Sequence, residues 1–253
     1  MNYTFKQFLI EHKDDVKLPK IQFQYHRHLH ESIWDKNKVL QPKVRTALLK
    51  IAKEFFETLE VKDFKILDIV FTGSLANYNY TTKSDIDLHI EVDRDSGYCE
   101  DCGIDIANVM KAKKTLWADE HSINIRGYPV ELYVQLKDET LQAGGVYSLK
   151  KNEWKVKPSH NPNIRKEIDN YAVDVKAKEY KVKIDDMIND KVDDKNDIHK
   201  LKEKIYDMRR AGLQKSGEFS VENLAFKCLR NKGYIKKLND YLIKIKDVDL
   251  SLD

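Results

Sequence analysis

Apolar positions recur at two periods along this chain of 253 residues, and the changes of period outline its organisation. From Pro42, which suits a first helical turn, Val44, Leu48, Ile51, Ala52, Phe55 and Leu59 recur at helical spacing. "KILDIVFTG" (65–73) is a nearly continuous apolar run ending at Gly73 and predicts a strand. "LANYNYTTK" (75–83) predicts a short helix or turn, and the strictly alternating "SDIDLHIEVD" (84–93) a second strand. A loop follows at "RDSGYCEDCG" (94–103), then a helix over 104–120 with Ile106, Val109, Met110, Leu116 and Trp117 toward the core. Residues 123–136 predict two strands joined by a Gly/Pro turn, and 144–158 a further hairpin.

Past Pro162 the pattern is helical throughout. Asn196 or Asp197 is expected to cap a helix carrying Ile198, Leu201, Ile205 and Met208. Ser220 is expected to cap the next, with Val221, Leu224, Ala225, Cys228 and Leu229 on one face, and Gly233 to end it. A last helix runs from about Tyr234 to Ile245, and "KVDDKND" (191–197) is the most linker-like stretch. At the other end, residues 3–12 predict a short amphipathic helix with Phe5, Phe8 and Leu9 on one side, and 16–40 an irregular segment anchored by Trp34. The fold class expected is α+β. Three parts follow: an N-terminal helix and extended segment (1–41), a catalytic core (42–160) and an all-helical part (161–253).

Composition narrows the picture only a little. Hydrophobic residues make up 41% and charged residues 34%, which is a globular balance on the charged side of average. The net charge of +3 is too small to indicate a nucleic-acid binder on its own. The charge is uneven, however: residues 151–253 hold 24 Lys+Arg against 19 Asp+Glu, enough to receive an anionic substrate or simply to solvate a helical surface. Three cysteines fit a reducing compartment, no apolar run approaches membrane-spanning length, and "MNYTFKQFLIEHKDD" lacks the apolar stretch of a secretory signal. A cytoplasmic location without membrane partners is expected.

The candidate chemistry lies in "FTGSLANYNYTTKSDIDLHIEVD" (71–93). On a strand, Asp85, Asp87, His89 and Glu91 point one way and Ile86, Leu88, Ile90 and Val92 the other. The apolar set packs a core. Asp85 and Asp87, about 6.5 Å apart along the backbone, can converge on shared divalent cations, which supply the missing positive charge. Just upstream, Gly73 and Ser74 offer close backbone approach, a hydroxyl and N–H groups for a phosphate. Alternation alone also describes any half-exposed strand.

The ensemble is more telling. "TGS", ten residues, then "DIDL" resembles the signature of the DNA polymerase β-like nucleotidyltransferase superfamily. That family uses a third carboxylate between hydrophobic residues on a later strand. "PVELYV" offers Glu131, preferred over Asp119, Glu120 and Asp138 because it alone has an alternating apolar frame. The resemblance covers roughly 42–136. It implies a mixed sheet with helices on one side, and transfer of a nucleoside monophosphate from a nucleoside triphosphate to an acceptor hydroxyl, with release of pyrophosphate. By resemblance Asp85, Asp87 and Glu131 are the catalytic residues and the ligands of Mg²⁺ or Mn²⁺. Gly73, Ser74, Lys83 and Ser84 lie where the nucleotide would be held. ATP is the default nucleotide. The acceptor stays open among an RNA 3′ end, a protein hydroxyl, a small molecule and a second nucleotide.

Other features are thinner. Asn77, Tyr78, Asn79 and Tyr80 could touch a nucleotide but read more simply as a polar turn, and His89 could support the acidic face. Cys99 and Cys102 with His121 form a single CxxC without a second pair, and His26, His28 and His30 alternate as metal-ligating histidines on a strand would. Arg209, Arg210, Lys215, Lys227 and Arg230 are candidates for triphosphate or RNA contact. The start, "MNYTFKQFLIE", resembles the capsid-targeting segments of tailed-phage internal proteins, which are cut after a hydrophobic-x-Glu triplet such as Leu9-Ile10-Glu11. It implies a phage protein, in the host cytoplasm or packaged in the virion. Two further classes stand beside the transferase: an inactive nucleotide-binding or virion-associated protein that keeps the fold, and a two-metal nuclease.

Overall fold

The computed structural model describes residues 24–60, 64–93, 106–137 and 143–251. The N-terminal amphipathic and capsid-targeting segment, the 94–103 loop with Cys99 and Cys102, and Asp138 lie outside these residues. The chain divides into two compact units, one over 23–162 and one containing 163–253.

The first unit is built on a six-stranded mixed sheet. In chain order come α1 (Pro42–Thr58), β1 (Ile66–Thr72), β2 (Ile86–Val92), α2 (Ile106–Glu120), β3 (Asn124–Ile125), β4 (Tyr128–Leu136), β5 (Val146–Ser148) and β6 (Glu153–Val156). Across the sheet the order is β3-β4-β2-β1-β5-β6. β2 pairs antiparallel with β1 and parallel with β4, so the chain crosses over between β2 and β4 through α2 and β3. The period-2 pattern of β2 is kept without a break: Ile86, Leu88, Ile90 and Val92 are buried and the residues between them are not. That apolar face packs with Val44, Leu48, Ile51, Ala52 and Phe55 of α1 in one core.

Residues before α1 belong to the same core. Leu29, Ile33, Trp34 and Leu40 are all buried in it. The indole of Trp34 stacks on Trp154 (4.5 Å) and Phe71 (5.4 Å), meets Tyr147 edge-on, and donates through Nε1 to the Leu75 carbonyl at 2.7 Å. A ring buried with its one polar atom satisfied is a strong anchor for an otherwise irregular segment.

Several expectations need correction. In α2, Met110 is buried and Trp117 packs edge-on against Phe55, but Val109 and Leu116 are exposed; the side chain of Ile106 is outside the described residues. The helix presents the single Met110/Trp117 stripe to the core, and its neighbours one residue back are rotated about 100° away. The hairpin between β3 and β4 turns on Arg126 and Gly127, both at positive φ, as a two-residue hairpin loop requires, while Pro129 sits inside β4.

The second unit is helical: α3 (Ile164–Glu167), α4 (Asn170–Asn189), α5 (Lys195–Ser216), α6 (Val221–Asn231) and α7 (Tyr234–Leu250). Its core joins Tyr180 and Ile184 with Ile198, Leu201 and Ile205, Phe226 and Leu229, and Ile235, Leu238 and Leu242. Ser220 caps α6, accepting from the Asn223 N–H, and Gly233, at φ 79°, separates α6 from α7. The cap of α5 is Asp194, which accepts from the Asn196 N–H; Asn196 and Asp197 already lie in the first turn. The last helix continues to Leu250, beyond the Ile245 expected. None of the described helices is long and apolar enough to cross a membrane.

Candidate active site

Strand register brings the acidic residues together. Thr72 of β1 is the partner of Asp87 of β2, and Asp87 is the partner of Glu131 of β4. The three residues form one row across neighbouring strands, with side chains on the same face. Asp85 precedes β2 by one residue and shares the face of Asp87. Carboxylate oxygens of Asp85, Asp87 and Glu131 all lie within 4.8 Å of one another. Such a cluster is self-repelling as three free anions, and its hard oxygen donors are those that Mg²⁺ and Mn²⁺ take. The residues present therefore fit a divalent ion. Asp119 and Glu120, the other carboxylates weighed for the third position, are exposed at the end of α2.

Gly73 faces this cluster. Its backbone has φ 81° and ψ −165°, and a Cβ built there would lie 2.0 Å from Oδ2 of Asp87. The glycine thus leaves room for the second aspartate as well as adopting a φ that other residues resist. After it comes a single 3₁₀ turn, Ser74–Ala76. The Ser74 and Ser84 hydroxyls hydrogen-bond at 2.7 Å, and Ser84 Oγ accepts the Thr81 N–H at 2.9 Å. Ser84 is buried, so this clasp ties the turn after β1 to the entry of β2. Lys83 next to it is exposed.

The remaining polar residues of the face divide into two groups. Glu91, expected alongside the aspartates, is taken by Lys155, whose Nζ lies 2.7 and 2.8 Å from its two oxygens. Near this pair Asp68 is buried and accepts from Ser148 Oγ and the Ile69 N–H, both at 2.8 Å. His89 and Gln135 sit between the two ends, with the His89 Nδ1 3.0 Å from the Gln135 Oε1. Burial lowers the pKa of His89, and Lys114 adds to that, against the opposing bond to Gln135. The ring stacks on Tyr133, its partner across the strands, at 4.7 Å.

Tyr133 and Lys114 are residues that sequence reasoning missed. The Tyr133 hydroxyl donates to Oε2 of Glu131 at 2.6 Å. Burial, then the contact with Glu131, pushes its pKa well above the ordinary phenol value, so it stays a donor. Lys114 of α2 lies 3.6 Å from the same oxygen and 3.3 Å above the Tyr133 ring. Burial lowers the pKa of Lys114, opposed by Glu131, Asp87 and Asp85. The alternation Glu131, Tyr133, Gln135 was a signal for Tyr133. Lys114, within the run "KAKK", had none.

Within the first unit the other candidates are not gathered into this site. Asn77, Tyr78 and Asn79 are buried, with Tyr78 part of the hydrophobic core. Residues 24–30 form no strand, and His26, His28 and His30 do not converge. His26 stacks on Tyr80 at 3.8 Å, His28 is exposed, and His30 Nδ1 is bonded to Ser32. An irregular backbone removes the period-2 alignment on which a shared ion would depend. His121 stacks on Trp117 at 3.8 Å. In the helical unit the Arg209 guanidinium lies 4.5 Å over Phe226, Arg210 pairs with Asp207, and Lys215 and Arg230 are exposed.

A family model described as a nucleotidyltransferase domain matches residues 49–210. No curated protein matches the chain. Among solved structures, a STING-associated CdnE c-di-GMP synthase from Capnocytophaga granulosa aligns over 83% of this chain and 84% of its own, with 12% identity and a TM-score of 0.22.

Proposed function

Since the chain belongs to the nucleotidyltransferase domain family and is an enzyme of nucleotidyl transfer from a nucleoside triphosphate, we propose that Asp85, Asp87 and Glu131 are its catalytic carboxylates. The observation that carries this reading is the convergence of their oxygens within 4.8 Å, beside a glycine that clears space for one of them. The three would hold Mg²⁺ or Mn²⁺, and ATP is the nucleotide we propose. When bound, such ions lower the pKa of an attacking hydroxyl and neutralise charge on a leaving pyrophosphate.

The chain's own residues have definable tasks. Ser74 and the backbone at Gly73, held by the bond to Ser84, receive the triphosphate. Exposed Lys83 offers it a cation. In the reaction the acceptor oxygen forms a bond to the α-phosphorus, the bond from that phosphorus to the β-phosphate oxygen breaks, and pyrophosphate leaves. The acceptor's proton passes to a carboxylate of the cluster. Catalysis of this kind rests on positioning and electrostatics, which a rigid row across three strands supports.

The test is label transfer. Purified protein is incubated with each α-labelled nucleoside triphosphate and Mg²⁺ or Mn²⁺, alone, with RNA and with protein extract, beside the double variant Asp85→Asn, Asp87→Asn. Label that moves into RNA, protein or a small product with wild type and not with the variant is expected, and names the acceptor class. Equal transfer by both proteins would refute the assignment of the two aspartates.

A further inference from the structure

Resting on that reading of the carboxylate cluster, we propose that Tyr133 is a positioning residue for Glu131, holding the longest of the three acidic arms in the orientation the other two require. Asp85 and Asp87 have short side chains carried by β2 and the residue just before it. Glu131 has an extra methylene and an extra torsion, and 44% of its side chain is exposed, so packing alone does not hold it. The hold comes from two residues further along β4, on the same face, where the Tyr133 hydroxyl donates to Oε2 at 2.6 Å. The carboxylate so held has an oxygen within 4.8 Å of those of both aspartates.

The tyrosine is itself fixed from both neighbouring elements. On the strand side the His89 ring stacks on it at 4.7 Å, and His89 is tied to buried Gln135. On the helix side Lys114 stands 3.3 Å above the ring and 3.6 Å from the same Glu131 oxygen. A charged acceptor makes this hydrogen bond stronger than a neutral one. Outer partners of ligating carboxylates typically carry about 10- to 100-fold in ion affinity or activity.

Tyr133→Phe tests this, since it keeps the ring against His89 and Lys114 and removes only the donor. Mn²⁺ binding without nucleotide is followed by electron paramagnetic resonance, and kcat and KM are measured beside it. We expect Mn²⁺ affinity to fall about 10-fold, with kcat reduced and KM for the nucleotide nearly unchanged. The same substitution is then made in a Glu131→Ala background. If Tyr133 acts through Glu131, it changes nothing further there. An equal loss of Mn²⁺ affinity in both backgrounds, or none in wild type, overturns the positioning role while leaving the cluster intact. Wild-type Mn²⁺ binding that Asp85→Asn, Asp87→Asn does not weaken overturns the cluster itself, and this inference with it.

Discussion

Gly73 and Asp87 occupy adjoining space that only one side chain can fill: a methyl on Gly73 would sit 2.0 Å from Oδ2 of the aspartate. The glycine before the serine is therefore doubly constrained, by its own φ of 81° and by the acid opposite. Gly73→Ala is expected to displace Asp87 and reduce kcat/KM by about 100-fold or more, the cost of an ångström-scale misplacement of a reacting group. Steady-state turnover compared with a thermal melt checks this: activity falls by far more than the folded fraction.

Ser84→Ala removes the atom that both accepts the Thr81 N–H and meets Ser74. Ser84 is buried and Thr81 half-buried, so a donor loses its partner in a partly desolvated position. The expected cost is about 1–3 kcal/mol, read from urea unfolding. Ser84→Thr, which keeps the hydroxyl, is expected to cost less. Equal losses would show that packing, not the hydrogen bond, holds the turn.

Trp34 is expected to matter in two separable ways. Trp34→Ala empties a fully packed position among Phe71, Tyr147 and Trp154 and should cost about 3–5 kcal/mol. Trp34→Phe keeps a ring but leaves the Leu75 carbonyl without its 2.7 Å donor, and should cost about 1–3 kcal/mol. Because Leu75 lies in the turn after Ser74, Trp34→Phe is also expected to raise KM for the nucleotide. Urea unfolding and steady-state kinetics on the two variants check the order.

The helical unit carries a pH-dependent contact. Asp185 of α4 meets Lys181 at 2.7 Å and Lys237 of α7 at 2.6 Å. Burial alone would raise its pKa, but the hydrogen bonds and charges of the two lysines outweigh that and hold it below the ordinary carboxylate value. A depressed carboxylate binds fewer protons in the folded state. Its contribution is complete above the unfolded-state value near pH 4 and is lost as pH falls through the folded one. Asp185→Asn should lower the melting temperature at pH 7 and narrow the gap to wild type at pH 3. A gap independent of pH would count against the contact.

The element pattern was largely legible because it depends on local periods. β2 showed its two faces through strict alternation, and α1 showed its stripe through helical spacing. The row formed by Thr72, Asp87 and Glu131 was less so. Alternation says which face Glu131 takes but not that its partner is Asp87, because a parallel pairing between distant segments leaves no local trace. Lys114 was invisible for the same reason, looking like any solvated helix lysine until β4 lay beside it. The sequence does not single out Asp194, because "DDKND" holds several residues able to cap and only backbone geometry chooses among them. Val109 and Leu116 match a helical period too, but one position away from the stripe that packs.

The two spacings that assemble the cluster should respond differently to insertions and deletions. Gly73 reaches Asp87 through a short connection between antiparallel strands, clasped by Ser74 with Ser84 and by Trp34 with Leu75. One added residue there would break the clasp. Glu131 instead reaches Asp87 by strand register alone, at the far side of the long crossover between β2 and β4. That crossover can lengthen or shorten without moving the carboxylate, provided the frame of β4 is kept. Homologues should therefore vary more in length between the second and third acids than between the glycine and the first.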